Sequence, residues 1–210
     1  MQVAGRAGSR PAGRRKGAGV DTEAAFSFAD KGAWSDWLAS NAERCPDGVW
    51  LRIAKKGGTA QSVSHPDALD VALCHGWIDA QRRRDDEKHW LQRFTPRRAR
   101  SKWSQVNRAR ALELIANGEM QPRGLAEVDR ARADGRWQAA YEPQAQARVP
   151  DDLRQALDEN PRADAFFAKL DSRNRYAIVY RLADAKRPET RARRLAAYVA
   201  MLAEHRTLHP

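Results

Sequence analysis

Apolar side chains recur along this chain with two different periods, and the change between them sets the expected architecture. Trp34, Trp37 and Leu38 fall at helical spacing and predict a first short helix. Val49-Trp50-Leu51-Arg52-Ile53 runs largely apolar into Lys55-Lys56-Gly57-Gly58, the pattern of a strand closed by a turn. His65-Pro66-Asp67 then opens a helix with Leu69, Ala72 and Leu73 on one stripe, stopped by Gly76. The next stretch alternates on both sides of Asp85-Asp86 and predicts a β-hairpin in which Trp77 faces Phe94, Asp79 faces Gln92 and Gln81 faces Trp90. That register makes an aromatic frame around Asp79, Gln81 and Gln92. A slip of one residue would scramble it, because Asp-Asp fixes a turn less firmly than Asn-Gly.

Beyond Pro96, which breaks the strand, Ser101 or Ser104 can cap a helix that carries Trp103, Val106, Leu112, Leu114 and Ile115 and ends near Gly118. Asn107 lies one turn after Trp103, where a half-buried amide must find a partner. A short helix follows from about Leu125 to Ala133, stopped by Gly135. From Val149 the pattern is helical throughout. Its stripes are Leu153, Ala156 and Leu157; Phe166, Phe167 and Leu170; Tyr176, Val179, Leu182 and Ala183; and Leu195, Tyr198, Val199 and Leu202. Pro150, Pro161 and Pro188 mark three of the starts. The expected fold class is α+β: a small antiparallel β-sheet packed with helices over residues 24–145, then a C-terminal helical lobe over 146–210. Residues 1–23 carry hardly any large apolar side chain, so burial would not repay their ordering, and they read as a flexible basic arm.

Composition adds a core and a compartment. A chain of 210 residues with seven tryptophans can bury a real interior. No apolar run approaches the roughly 18 residues of a membrane span, and the N-terminus lacks the apolar segment of a secretory signal. The expected location is the cytoplasm, with Cys45 and Cys74 as reduced, buried thiols.

Charge changes the picture more. The formal net charge of +11 is focal: residues 82–102 hold nine bases against three acids, and 186–194 hold five against one. A focal patch suits an anionic partner, and it also suits a solvated arginine-rich face. In the last helix Arg191 and Arg194 fall in the first turns, where the macrodipole disfavours cations. Either a carboxylate from the first lobe compensates them or a bound anion does.

Candidate chemistry is binding rather than turnover. HExxH, CxxC and GxxxxGK[ST] are absent from the sequence. Cys74 and His75 are neighbours on a helix and point about 100° apart, so they do not pair as nucleophile and base. The five histidines are scattered, no cofactor or metal site is expected, and Asp79 is the one weak candidate for a general base. The candidate ligand-binding residues are Trp77, Asp79, Gln81, Arg93, Phe94, Arg97, Arg98, Ser101, Trp103, Ser104 and Asn107, with Arg191 and Arg194 as a second basic cluster. Arginines, indoles and hydroxyls in that combination suit an anionic small molecule or an acidic protein partner. Nucleic acid held by the 82–102 patch, and an enzyme using Asp79, are the competing readings. The chain has no helix-turn-helix, zinc-finger, KH or RRM signature.

Several ordered segments together resemble the YdeI/OmpD-associated bacterial family: Ala72-Leu73-Cys74-His75-Gly76-Trp77-Ile78-Asp79, Arg93-Phe94-Thr95-Pro96-Arg97, Ser101-Lys102-Trp103-Ser104 with Asn107, Gly118-Glu119-Met120, Gly124-Leu125, Asp134-Gly135-Arg136-Trp137, and Ala185-Lys186 with Glu189-Thr190-Arg191 and Arg194. The C-terminal helices resemble its bacteriocin-protection segment, and the resemblance spans roughly residues 26–205. It implies a bacterial protein linked to tolerance of bacteriocins, antimicrobial peptides and envelope stress. It supplies no catalytic residues.

Overall fold

Five helix starts among the described residues carry a side chain that accepts a free first-turn amide. The computed structural model describes residues 24–57, 59–144 and 146–210, so the arm expected over 1–23 lies outside the described residues. They fall into two compact units. One takes the chain up to Arg98 together with Met120–Leu125, and the other takes Ala99–Glu119 with Ala126–Pro210.

In the first unit, helix α1 (Lys31–Asn41) starts where the Asp30 carboxylate accepts the Ala33 N–H, and it buries Trp34 and Leu38. Helix α2 (His65–Cys74) starts at Ser64, whose hydroxyl accepts the Asp67 N–H. It ends where Gly76 takes a left-handed φ of 75°. The strands are β1 (Ala25–Phe26), β2 (Val49–Ala54), β3 (Trp77–Arg84) and β4 (His89–Pro96), in the order β1-β2-β4-β3. Three of them are antiparallel, as expected; the two-residue β1 runs parallel to β2, which makes the sheet mixed. Val49, Leu51 and Ile53 point from β2 into a core shared with Trp34, Leu38, Val71, Trp77 and Phe94. Burying each large side chain there stabilises the unit by roughly 1.5–3 kcal/mol. Gly48, just before β2, has φ 84°, and a Cβ there would lie 2.2 Å from the Phe94 carbonyl oxygen. Only glycine lets β2 and the end of β4 approach so closely.

The hairpin forms, but its register differs from the expected one. Trp77 pairs with Pro96 and Asp79 with Phe94; beyond a bulge, Arg82 pairs with Gln92 and Arg84 with Trp90. The displacement has a side-chain cause. The buried Gln92 amide donates to the carbonyls of Gln81 and Arg93, both at 3.1 Å, and so satisfies the oxygen that the bulge takes out of the ladder.

The second unit is helical. Ser104 caps α3 (Gln105–Ala116) by accepting the Asn107 N–H at 3.1 Å, which settles the choice between Ser101 and Ser104. Helix α4 (Pro122–Ala133), whose residues up to Leu125 belong to the first unit, begins at Pro122, three residues before the expected start. Helices α5 (Asp151–Asp158), α6 (Pro161–Lys169), α7 (Ser172–Ala183) and α8 (Pro188–Ala203) follow. Their core holds Leu153, Leu157, Phe167, Ile178, Leu182 and Leu202. The buried Asn174 of α7 donates to the His209 carbonyl and accepts the N–H groups of Leu208 and His209, tying the chain's last residues to the bundle.

Candidate functional site

Residues expected to form one pocket belong to both units. Trp77, Asp79, Gln81, Arg93, Phe94, Arg97 and Arg98 lie in the first; Ser101, Trp103, Ser104, Asn107, Arg191 and Arg194 lie in the second. Within the first unit the aromatic frame is not an open wall. Trp77 is 1% exposed and Phe94 0%, and both are core residues packed with Trp34. Asp79 approaches the His65 ring at 3.5 Å, and that ring in turn lies 5.5 Å from Trp90. Gln81 contributes its main-chain carbonyl, not its exposed side chain.

The arginines of the 82–102 patch are arranged on indoles. Arg82 lies over Trp90 at 3.8 Å, and Arg83 and Arg93 lie over Trp50 at 4.1 and 5.7 Å. Arg93 also donates to the Asp47 carbonyl beside the Gly48 turn. Arg97 is only 5% exposed and its main-chain N–H bonds the Gly76 carbonyl, whereas Arg98 is exposed. At the hairpin turn Asp85, Asp86 and His89 come together, and their contacts account for them. Asp85 pairs with Arg52. Asp86 accepts from the His89 ring and from the Lys88 and His89 amides, which lowers its carboxyl to about 2. His75, far from pairing with Cys74, meets the Ser35 hydroxyl at 3.0 Å. Burial, with Arg123 nearby, lowers its basicity below the usual 6.5. Cys45 and Cys74 are free and buried.

In the second unit Arg191 and Arg194 are committed to the fold. Arg191 grips Asp152 of α5 with two bonds of 2.6 and 2.8 Å and donates to the Leu182 carbonyl at 2.7 Å; Arg194 donates to the Arg181 carbonyl at 2.6 Å. The compensating carboxylate therefore comes from the helical unit itself, not from the first lobe. Cations that sit badly at the start of α8 sit well at the end of α7, whose last carbonyls they cover. Trp103 is buried with its ring edge-on to Trp137 at 4.9 Å, Ser104 is used as a cap, Ser101 offers its carbonyl to Arg136, and Asn107 is half-buried on α3.

What the sequence reading missed is a cleft of about 500 Å³ in this second unit, walled by Tyr141, Tyr176 and Tyr180. That volume is in the range of about 300–1,000 Å³ usual for ligand sites. The irregular stretch around Tyr141 is held by two main-chain bonds, Tyr141 N–H to the Trp103 carbonyl and Gln105 N–H to the Tyr141 carbonyl. Tyr141 meets Tyr180 edge-on at 5.3 Å, Tyr176 lies 5.8 Å from Tyr180, and the Tyr176 hydroxyl donates to the Glu142 carbonyl. Burial, with Tyr141 beside it, keeps that phenol protonated to a higher pH than usual. Lys102 reaches across to Asp184 at 2.5 Å and to the Tyr180 hydroxyl at 3.2 Å. Burial alone would lower its basicity, but those two bonds outweigh burial and raise it, so the ammonium is fixed. Arg148 and Lys186, both exposed, complete the lining. A sequence signal existed: Tyr176 and Tyr180 are one helical turn apart, which places both rings on one side of α7.

Fold and cleft define an α+β protein with a mixed four-stranded sheet and a helical unit that carries a tyrosine-walled, cation-bearing recess. Residues 146–205 match the family model described as bacteriocin-protection, YdeI or OmpD-associated, so α5 to α8 carry the segment that the sequence resemblance pointed to. Residues 26–127 match a domain of unknown function, DUF8412. No curated protein and no solved structure matches the chain. Residues 128–145 fall between the two matched segments, and packing groups 99–119 and 126–145 with the C-terminal helices. Among the described residues no helix is long and apolar enough to cross a membrane.

Proposed function

We propose that this is a non-catalytic binding protein of the cytoplasm, acting in tolerance of bacteriocins or antimicrobial peptides, whose tyrosine cleft holds an anionic ligand or an acidic partner. One observation carries the reading: Arg148 and Lys186 line, with the fixed Lys102, a recess in which Tyr180 packs against both Tyr141 and Tyr176. Rings supply contact area at low entropic cost, and cations at the edge of a partly dry recess attract negative charge more strongly than they would in open solvent. The bacteriocin-protection match includes α7, which carries Tyr176 and Tyr180 of the cleft, and supports the biological half of the proposal. Two free, buried thiols suit a reducing compartment. Asp79, 3.5 Å from the His65 ring at the sheet, offers an enzyme much less.

Titration with anilinonaphthalene sulfonate, an aromatic anion whose fluorescence rises on leaving water, tests the site. The expected result is saturable binding, weakened roughly tenfold when Arg148→Glu and Lys186→Glu are combined, with the far-ultraviolet dichroism unchanged. Equal affinity in the double variant would remove the cleft from consideration. A steep log-linear loss of oligonucleotide binding with salt would favour nucleic acid on the 82–102 patch instead.

A further inference from the structure

The tyrosine cleft is the middle of three recesses that share walls. Toward Ser172 and Arg175 a recess of about 280 Å³ shares Ala147, Tyr176 and Val179 with it. In the other direction, toward Arg100 and Arg136, a recess of about 390 Å³ shares Lys102, Asp184 and Lys186. All three lie within the second unit, and the central recess adjoins each of the other two, so that they form a row, here called the trough. We infer that the ligand of this trough is an extended acidic peptide segment of a partner protein, lying along all three recesses with alternate side chains among the tyrosines and its carboxylates on the flanking cations. The inference rests on the reading of the cleft as an anion site and specifies what the anion is.

Three observations separate a peptide from other anions. A compact small molecule fills the central recess and leaves the flanking ones unused. A polyphosphate chain would carry a negative charge at every step past Glu142, Asp184 and Asp134, all of which line the trough. Acidic side chains can instead be spaced to meet the cations and skip the acids. The cations suit such spacing: Arg175 lies at one end, Arg148 and Lys186 at the centre and Arg100 at the other end. Lys102 and Arg136 are already engaged by Asp184 and Asp134; Arg175 donates to the Ala168 carbonyl and lies over Phe167 but stays exposed. An extended chain turns successive side chains to opposite sides, so every second residue can press an apolar group on Val179 and the rings while its neighbours face the rim.

The test is fluorescence anisotropy with the full chain and a rhodamine-labelled peptide of about twelve residues alternating glutamate and leucine, which at about 3.3 Å per residue is long enough to enter more than one recess. A half-length peptide, a lysine-for-glutamate peptide and an oligothymidine serve as comparisons. The expected result is saturable binding of the long acidic peptide, roughly tenfold tighter than the half-length one, with the lysine peptide not bound. Arg100→Glu, at an exposed end of the trough, should weaken the long peptide several-fold and leave anilinonaphthalene sulfonate unaffected. Dye binding without any gain from peptide length overturns the peptide and leaves the anion site standing. Tighter binding of oligothymidine at the same residues also overturns it. If neither dye nor peptide binds, both readings fall.

Discussion

Replacing Arg191 with methionine keeps most of the stem and removes three bonds at once: two to the Asp152 carboxylate and one to the Leu182 carbonyl. The pair is about one-third exposed, with side-chain exposures of 30% and 35%, so it is worth less than a buried charge pair and more than a surface pair of loose geometry. A surface pair contributes up to about 1 kcal/mol, and its bidentate geometry places this one near that upper value. Covering a helix C-terminal carbonyl with a cation adds about 0.3–1 kcal/mol. Arg191→Met should therefore cost about 2 kcal/mol, or about 4–8 °C in Tm for a chain of this size. Asp152→Asn should cost about 1 kcal/mol, and in that background Arg191→Met should still cost the part that belongs to the α7 carbonyl, again about 1 kcal/mol or less. Urea unfolding followed by helical dichroism reads all four corners of the cycle. The pH dependence follows from the same contact. The Arg191 bonds depress the Asp152 carboxyl in the folded state, so its stabilisation is present above the unfolded value of about 3.8 and disappears as pH falls through the lower folded value. The difference between wild type and Arg191→Met should accordingly shrink below about pH 4. A variant within 0.5 kcal/mol of wild type, on the order of ordinary surface substitutions, would refute the claim that α8 is docked by its arginines.

Other contacts make shorter predictions. Gly48 and Gly57 have nearly the same φ, 84° and 83°, but a Cβ at Gly57 meets nothing within 4 Å. Gly57→Ala should cost about 1 kcal/mol of backbone strain and Gly48→Ala clearly more, read as the two urea midpoints. Gln92→Leu removes the donor to the bulge carbonyl of Gln81, and hydrogen exchange along β3 and β4 should speed up from Asp79 to Arg82 relative to Trp77. Asn174→Ala deletes three bonds at the chain's end and should cost about 2 kcal/mol, with NMR line narrowing confined to the residues around Leu208. His75 is held neutral by burial and by Arg123, so stability should decline as pH falls below its unfolded value of 6.5 toward the lower folded one. His75→Gln should remove that part of the slope.

The elements written by local chemistry were the legible ones. Asp30, Ser64, Ser104, Asn160 and Asp171 each accept an N–H from the first turn of a helix, and the prolines at 66, 161 and 188 sit where helices begin. Features decided at long range were not. Strand β1 is two residues long, too short to show a period, and exists because Ala25 and Phe26 find Trp50 and Leu51 as partners. The hairpin register depended on one glutamine amide reaching a carbonyl eleven positions away. The site was legible only in its chemistry. Trp77, Phe94 and Trp103 looked like pocket walls because large aromatics beside arginines suit both a pocket and a core, and burial decides between them. The cleft that did form combines Lys102, the irregular stretch around Tyr141, and α7. Main-chain bonds between Trp103, Gln105 and Tyr141, which no periodicity encodes, join the first two, and the Tyr176 and Tyr180 hydroxyls join them to α7.

The distribution of arginine bears on what this protein can bind. The sequence concentrates its positive charge at 82–102 and 186–194, yet many of those cations are already engaged: Arg82, Arg83 and Arg93 against indoles, Arg191 and Arg194 against the end of α7, and Lys102 on Asp184. A guanidinium held over an indole still carries its charge, but its position is tied to a ring on the sheet, so it is less able to follow an arbitrary phosphate path. The cleft draws instead on Arg148 and Lys186, with Arg100 at one end of the trough. A peptide meeting a few such charges lacks the condensed counterions of a nucleic acid and should lose affinity with salt only shallowly, against a log-log slope of about −5 or steeper for a nucleic-acid binder with six or more phosphate contacts. The slope for the acidic peptide, measured between low and physiological salt, should therefore stay well short of that value. A value near −6 would mean that the ligand lies on the arginine-covered sheet and not in the tyrosine cleft.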